Sequence, residues 1–141
     1  MTRINAGIPV ESLSSKHLIA EHREIKRICS RLKKRIQKNK FDDIPAPFHT
    51  YNDNGDVVLK ELFWLDKGKF TLTRYLQIYE ECKKRGFNMT NFSNSWEIYK
   101  EKPEFFNDHI PTPYQIQIIK DRIELKNRIS IERKRLKNLD I

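Results

Sequence analysis

The sequence predicts an all-α fold, a single compact domain over residues 1–141 with three main helices and long irregular connections. Two observations carry that prediction. Three stretches repeat apolar residues at the spacing of a buried helix face, and the segments between them are rich in Pro, Asn and Gly, which interrupt helices. A length of 141 residues also suits one core of ordinary size and leaves little for a second.

Each element has its own signals. Beyond Pro9, Ser12 or Ser14 is placed to cap a helix running to about residue 38, with Leu18, Ile25, Ile28, Leu32 and Ile36 at helical spacing. Pro45, Pro47, Asn52, Asn54 and Gly55 then predict a loop that closes in a turn. Residues 57–65 fit either a short strand or the approach to the next helix. A second helix, about 71–85, puts Leu72, Tyr75, Leu76, Tyr79 and Cys82 on one stripe and stops at Gly86, a natural residue just past a helix end. That stripe is expected to pack against helix one. Pro103, Pro111 and Pro113 mark 88–113 as an irregular connection, in which core packing is the first expectation for Trp96 and Tyr99, as it is for Trp64 and Tyr114 outside it. The third helix, about 114–139, turns Ile116, Ile119, Ile123 and Ile129 inward and ends in a solvated basic tail over 133–137.

Composition narrows the partners. Lys and Arg total 28 against 19 Asp and Glu, a formal charge of +9, which favours a polyanion: nucleic acid first, an anionic membrane surface second. No apolar run approaches the ~18 to 20 residues of a membrane span, and the first residues lack the apolar stretch of a signal peptide, so a cytoplasmic protein is expected. With Cys29 and Cys82 as the only cysteines, a disulfide framework and a thiolate zinc site are both excluded.

Helix one separates into sectors at 100° per residue. Beside the apolar stripe, and not opposite it, lie His17, Ala20, Arg23, Glu24, Arg27 and Arg31. One carboxylate and three arginines thus share a ledge, and the small Ala20 among them lets another backbone or a ligand approach. The same residues also fit an ordinary solvated face, where a Glu24–Arg27 pair at i,i+3 contributes only about 0.2 to 0.5 kcal/mol. At the start of the chain a small residue follows Met1, so removal of the initiator methionine is expected to free the α-amine of Thr2. α-Amines have pKa values of about 7.7 to 8.0, against about 10.4 for lysine, so near neutrality such a group is a usable nucleophile.

Thr2, Arg3, Ile4 and Asn5, followed by Val10, Leu13, His17, Leu18, Ala20, Glu21, Arg23, Glu24 and Arg27, resemble the opening of the phage pyrimidine-dimer DNA glycosylases of the endonuclease V type. Phe63, Asp66, Lys67 and Phe70, continuing to Glu81, Cys82, Arg85, Gly86, Phe87 and Asn88, are similar to the second helix of that family and its exit. Asp108, Ile110, Pro111, Ile116, Ile118, Arg122 and Lys126 are similar to its third. Residues 41–62 and 89–107 match weakly.

The resemblance implies a helical, monomeric, bifunctional glycosylase and abasic-site lyase that acts on pyrimidine dimers in double-stranded DNA, in a bacterial or phage-infected cell, with no metal, no cofactor and no membrane. Thr2 and Glu24 are its implied catalytic residues. Arg3, His17, Arg23, Arg27, Arg122 and Lys126 are its implied DNA contacts, although His17 beside a core stripe and the pair on the third helix also fit purely structural roles. The chain departs from the family pattern at Lys26, where proline is usual, so that helix one is expected to run straighter. It also departs at Lys16 and in the basic, aliphatic segment 129–141, which replaces an aromatic and glycine-rich end. Two other readings stay open: a metal-dependent endonuclease, for which Glu81 and Lys83 form an acidic-x-Lys pair, and a non-catalytic basic helical DNA-binding protein.

Overall fold

A computed structural model describes residues 3–139. Among these residues are four α-helices and one small hairpin, an all-α class in agreement with the sequence. None of the helices is long and apolar enough to cross a membrane. The helices are α1 (Ser15–Glu24), α2 (Arg27–Lys38), α3 (Gly68–Lys84) and α4 (Pro113–Leu139).

The expected helix one is therefore two helices. Ile25 still donates its N–H to Glu21 at 2.9 Å, in α-helical register, but Ile28 reaches back only to Ile25 and Cys29 only to Lys26. One tight turn thus interrupts the ladder, with no proline or glycine to force it. Packing holds it instead: the Lys26 ammonium sits 3.5 Å above the centre of the Phe92 ring. Lys26 in the place of proline does not make the helix straighter.

Residues 57–65 supply both of the alternatives left open. β1 (His49–Tyr51) and β2 (Val57–Leu59) pair antiparallel, His49 opposite Leu59. A short 3₁₀ helix, Glu61–Trp64, then leads toward α3. Asn52 closes the hairpin turn by accepting from the N–H groups of Asn54 and Asp56. The connection expected to be irregular contains a nine-residue 3₁₀ helix, Ser93–Glu101, and a second one at Pro103–Phe105.

The chain divides into two compact units, Pro9–Ile110 with residues 3–4, and Asn5–Ile8 with residues 111–139. In the first, α1 packs on α3, and α2 packs on the helix Ser93–Glu101. Leu18, Ile25, Ile28, Leu32, Tyr75 and Ile78 are all fully buried. α3 is rotated from the expected stripe: Thr71, Arg74, Tyr75, Ile78 and Cys82 face inward, whereas Leu76, about 100° around from Tyr75, is outward and 43 % exposed. Trp64, Trp96 and Tyr99 are core residues as expected; Tyr114 is exposed. Trp96 donates to Thr71 Oγ1 at 2.9 Å and Tyr99 to the Leu65 carbonyl at 2.8 Å, so each buried aromatic has a partner for its polar tip.

In the second unit, Gly7 at φ 78° passes close to α4, where a Cβ would come within 2.5 Å of the Ile116 side chain. Ile119 is buried, Ile116 and Ile123 are half-buried, but Ile129 is exposed. It lies about 80° beyond the edge of the covered arc at Ile119 and about 120° around the helix from Ile123, outside that arc.

Candidate active site

The end of α1 is fixed from several directions before its last residue is reached. Ser14 caps the helix, its Oγ accepting the His17 N–H at 3.3 Å. Arg85, just beyond α3, donates to the carbonyls of Val10 and Glu11 and to Ser15 Oγ, and its Nε meets Glu81 at 2.9 Å. On the inner side, fully buried Glu21 accepts two hydrogen bonds from Arg74 of α3, at 2.8 and 3.0 Å. A two-pronged pair of this kind sets both the separation and the rotation of the helices.

His22 secures the neighbouring position. It is buried, with Nε2 3.1 Å from the Thr90 carbonyl and 3.0 Å from Tyr75 Oη. Phe92 completes the group, donating its N–H to Tyr75 Oη at 2.7 Å while its ring packs beside His22 and beneath Lys26. Burial holds the imidazole pKa below its ordinary value, and the Lys26 charge pushes it the same way against the Thr90 hydrogen bond. Residues 90–92 therefore brace the turn that follows Glu24.

Glu24 is the last residue of α1 and is 5 % exposed. Around its carboxylate stand Arg23 Nη2 at 3.6 Å, Arg3 Nε at 3.8 Å and Arg27 Nη1 at 3.9 Å. These separations exceed a direct hydrogen bond, so the attraction is coulombic. Because the Arg23 and Arg27 side chains are 64 and 47 % exposed, water screens them, and each contact contributes about 1 kcal/mol or less to stability. Three cations around one sheltered anion are thus a poor stabilising device and a good anion-binding surface.

The ledge read from the sequence is present in part, with Arg3 in the place expected for Arg31 beside Glu24. His17, Ala20 and Glu24 are buried along it, Arg23 and Arg27 are exposed, and Arg31 turns to Glu61 at 3.7 Å. Thr2 lies outside the described residues. Arg122 and Lys126 are half-buried on α4, in the other unit. His22 and Arg74 escaped the sequence reading, although Arg74, a lone charge among Thr71, Tyr75 and Ile78, carried a signal: a charge on a buried stripe needs a buried partner. The acidic-x-Lys pair does not converge on a site, since Glu81 is held by Arg85 and Lys83 lies 3.9 Å from Glu80. Among the described residues no group of three His, Cys, Asp or Glu is arranged to hold a metal.

This geometry agrees with the comparison against known families. A family model described as pyrimidine dimer DNA glycosylase matches residues 1–95, which include α1, α2, α3 and the whole of the Glu24 cluster. A match over that share of the chain settles its membership: the chain belongs to the pyrimidine dimer DNA glycosylase family.

Proposed function

We propose that the protein is a bifunctional enzyme that excises pyrimidine dimers from double-stranded DNA and then cuts the abasic site by β-elimination, with residues 1–141 acting as one monomeric catalytic domain. The Thr2 α-amine attacks C1′ of the damaged nucleotide, and the C1′–N glycosidic bond breaks, its electron pair leaving with the base. Opening of the sugar ring converts the amine adduct to an iminium, with a proton delivered to the ring oxygen. The iminium acidifies C2′; loss of that proton expels the 3′ phosphate, and hydrolysis of the imine returns the free amine. A covalent amine intermediate divides one hard displacement into easier steps and draws on no metal or cofactor.

Glu24 is the proton carrier and the counter-charge for the cationic sugar. Arg3, Arg23 and Arg27 hold the flanking phosphates, and as like charges they disfavour the protonated amine. His17 lines the same ledge, and Arg122 and Lys126 take backbone phosphates from α4. Damage is selected through deformability, since a dimer weakens pairing and costs less to distort than intact DNA.

One observation carries the reading: the sheltered Glu24 carboxylate lies among three guanidinium groups, one of them from Arg3, the residue directly after Thr2. Borohydride trapping tests it. In EDTA, the protein with a free Thr2 terminus is expected to form a reduced covalent adduct with abasic and dimer-containing duplexes, and an uncut N-terminal tag is expected to abolish it. Undiminished trapping by the tagged protein overturns the nucleophile assignment.

A further inference from the structure

α4 changes face along its length. Ile116, Ile119 and Ile123 form the covered side of its first half, whereas Leu125, Ile129, Leu136 and Leu139 lie on nearly the opposite side and are 50, 41, 50 and 68 % exposed. At 100° per residue these four fall within an arc of about 80°, the width of a coiled-coil seam and narrower than the face of a core helix. Their spacing of four, seven and three leaves one gap in a four-three alternation. Glu132 fills that gap, its carboxylate accepting from Arg135 Nε at 3.1 Å. Both edges of the seam are cationic, with Arg128 and Arg135 on one, the latter paired to Glu132, and Arg133 on the other.

Charge decides what fits such a seam. A second copy of this helix sets cations against cations in either orientation, because the edge positions are all basic. A lipid surface favours a broad apolar face with aromatic anchors, yet Tyr114 is the only aromatic residue of α4 and a carboxylate sits mid-seam. Phosphates satisfy the cations and leave the apolar side chains wet. An amphipathic helix with acidic edges satisfies both parts.

We propose that the exposed half of α4 docks an amphipathic helix of a protein partner, with Asp and Glu flanking its apolar seam and a Lys or Arg facing Glu132. The inference is independent of the glycosylase chemistry. The probe is a synthetic three-heptad helical peptide with Leu at the seam, Glu at the edges and one Lys set to face Glu132, followed by fluorescence anisotropy with the full-length protein. Saturable binding is expected. It should weaken roughly tenfold or more in an Ile129→Ser/Leu136→Ser protein, whose helicity is checked by circular dichroism, since both positions are exposed. Glu132→Lys should weaken it as well, with recovery when the facing peptide Lys is exchanged for Glu. No binding of the acidic peptide, or equal binding of a Lys-edged one, overturns the proposal. So does a seam variant that loses affinity only for duplex DNA or for phosphatidylglycerol vesicles, or a seam-dependent self-association in sedimentation.

Discussion

Glu24 has the burial of a core residue and the neighbours of a binding site, and the two properties separate under mutation. Glu24→Gln keeps the shape and removes the charge, so duplex binding measured by anisotropy should persist or tighten. Single-turnover cleavage of a dimer-containing duplex should fall by roughly 10² to 10⁴; loss of folding instead would assign Glu24 to the core. His22 carries a pH signature. The fold keeps the imidazole neutral and its pKa low, so below about pH 6.5 the unfolded chain takes up a proton that the native one refuses. Stability is then expected to be intact above neutrality and to decline as pH falls from about 6.5 toward the lowered native pKa, by at most about 1.4 kcal/mol per pH unit from this group. Thermal melts at pH 7.5 and 5.5 check it: His22→Asn, which has no imidazole to protonate, should show a smaller acid loss. Glu24, Arg23 and Arg27 were legible in the sequence because residues within three of one another stay close in space, even across the tight turn between α1 and α2. The role of His22 was not, because its partners Tyr75 and Thr90 lie 53 and 68 residues away.

At the scale of elements, the buried Glu21–Arg74 pair locks α1 to α3 and so sets the position of the ledge. Arg74→Met strands a carboxylate in the core and should cost about 3 to 5 kcal/mol in denaturant unfolding, whereas Glu21→Leu/Arg74→Met together should recover most of that loss. Equal loss in both variants would mean that packing, not the ion pair, holds the helices. The existence of the helices followed from periodicity, and the end of α3 followed from Gly86, whose φ of 84° suits the residue after a helix. The hairpin and the 3₁₀ helix Ser93–Glu101 were hidden because short irregular segments take their shape from tertiary contacts. Leu76 and Ile129 were misassigned for a related reason: a buried charge, Arg74, on the inward face of α3 and a change of face along α4 defeat a count of apolar residues.

Over the whole molecule, the formal charge of +9 is unevenly spread, and 113–139 carries eight Lys and Arg against three Asp and Glu. DNA affinity should accordingly fall steeply with salt. In Arg122→Gln/Lys126→Gln the slope of log K against log salt should flatten by about 0.9 for each phosphate that is no longer neutralised; an unchanged slope would remove those two residues from the interface. The family match stops at residue 95, short of α4, whereas α1 to α3 lie inside it. The turn at Ile25 and Lys26 lies inside the matched region, and the Lys26 ammonium rests 3.5 Å above the Phe92 ring there. The turn thus leans on two positions far apart in the chain, 26 and 92. A change at either position is therefore felt at the other and, through the turn at the end of α1, at Glu24.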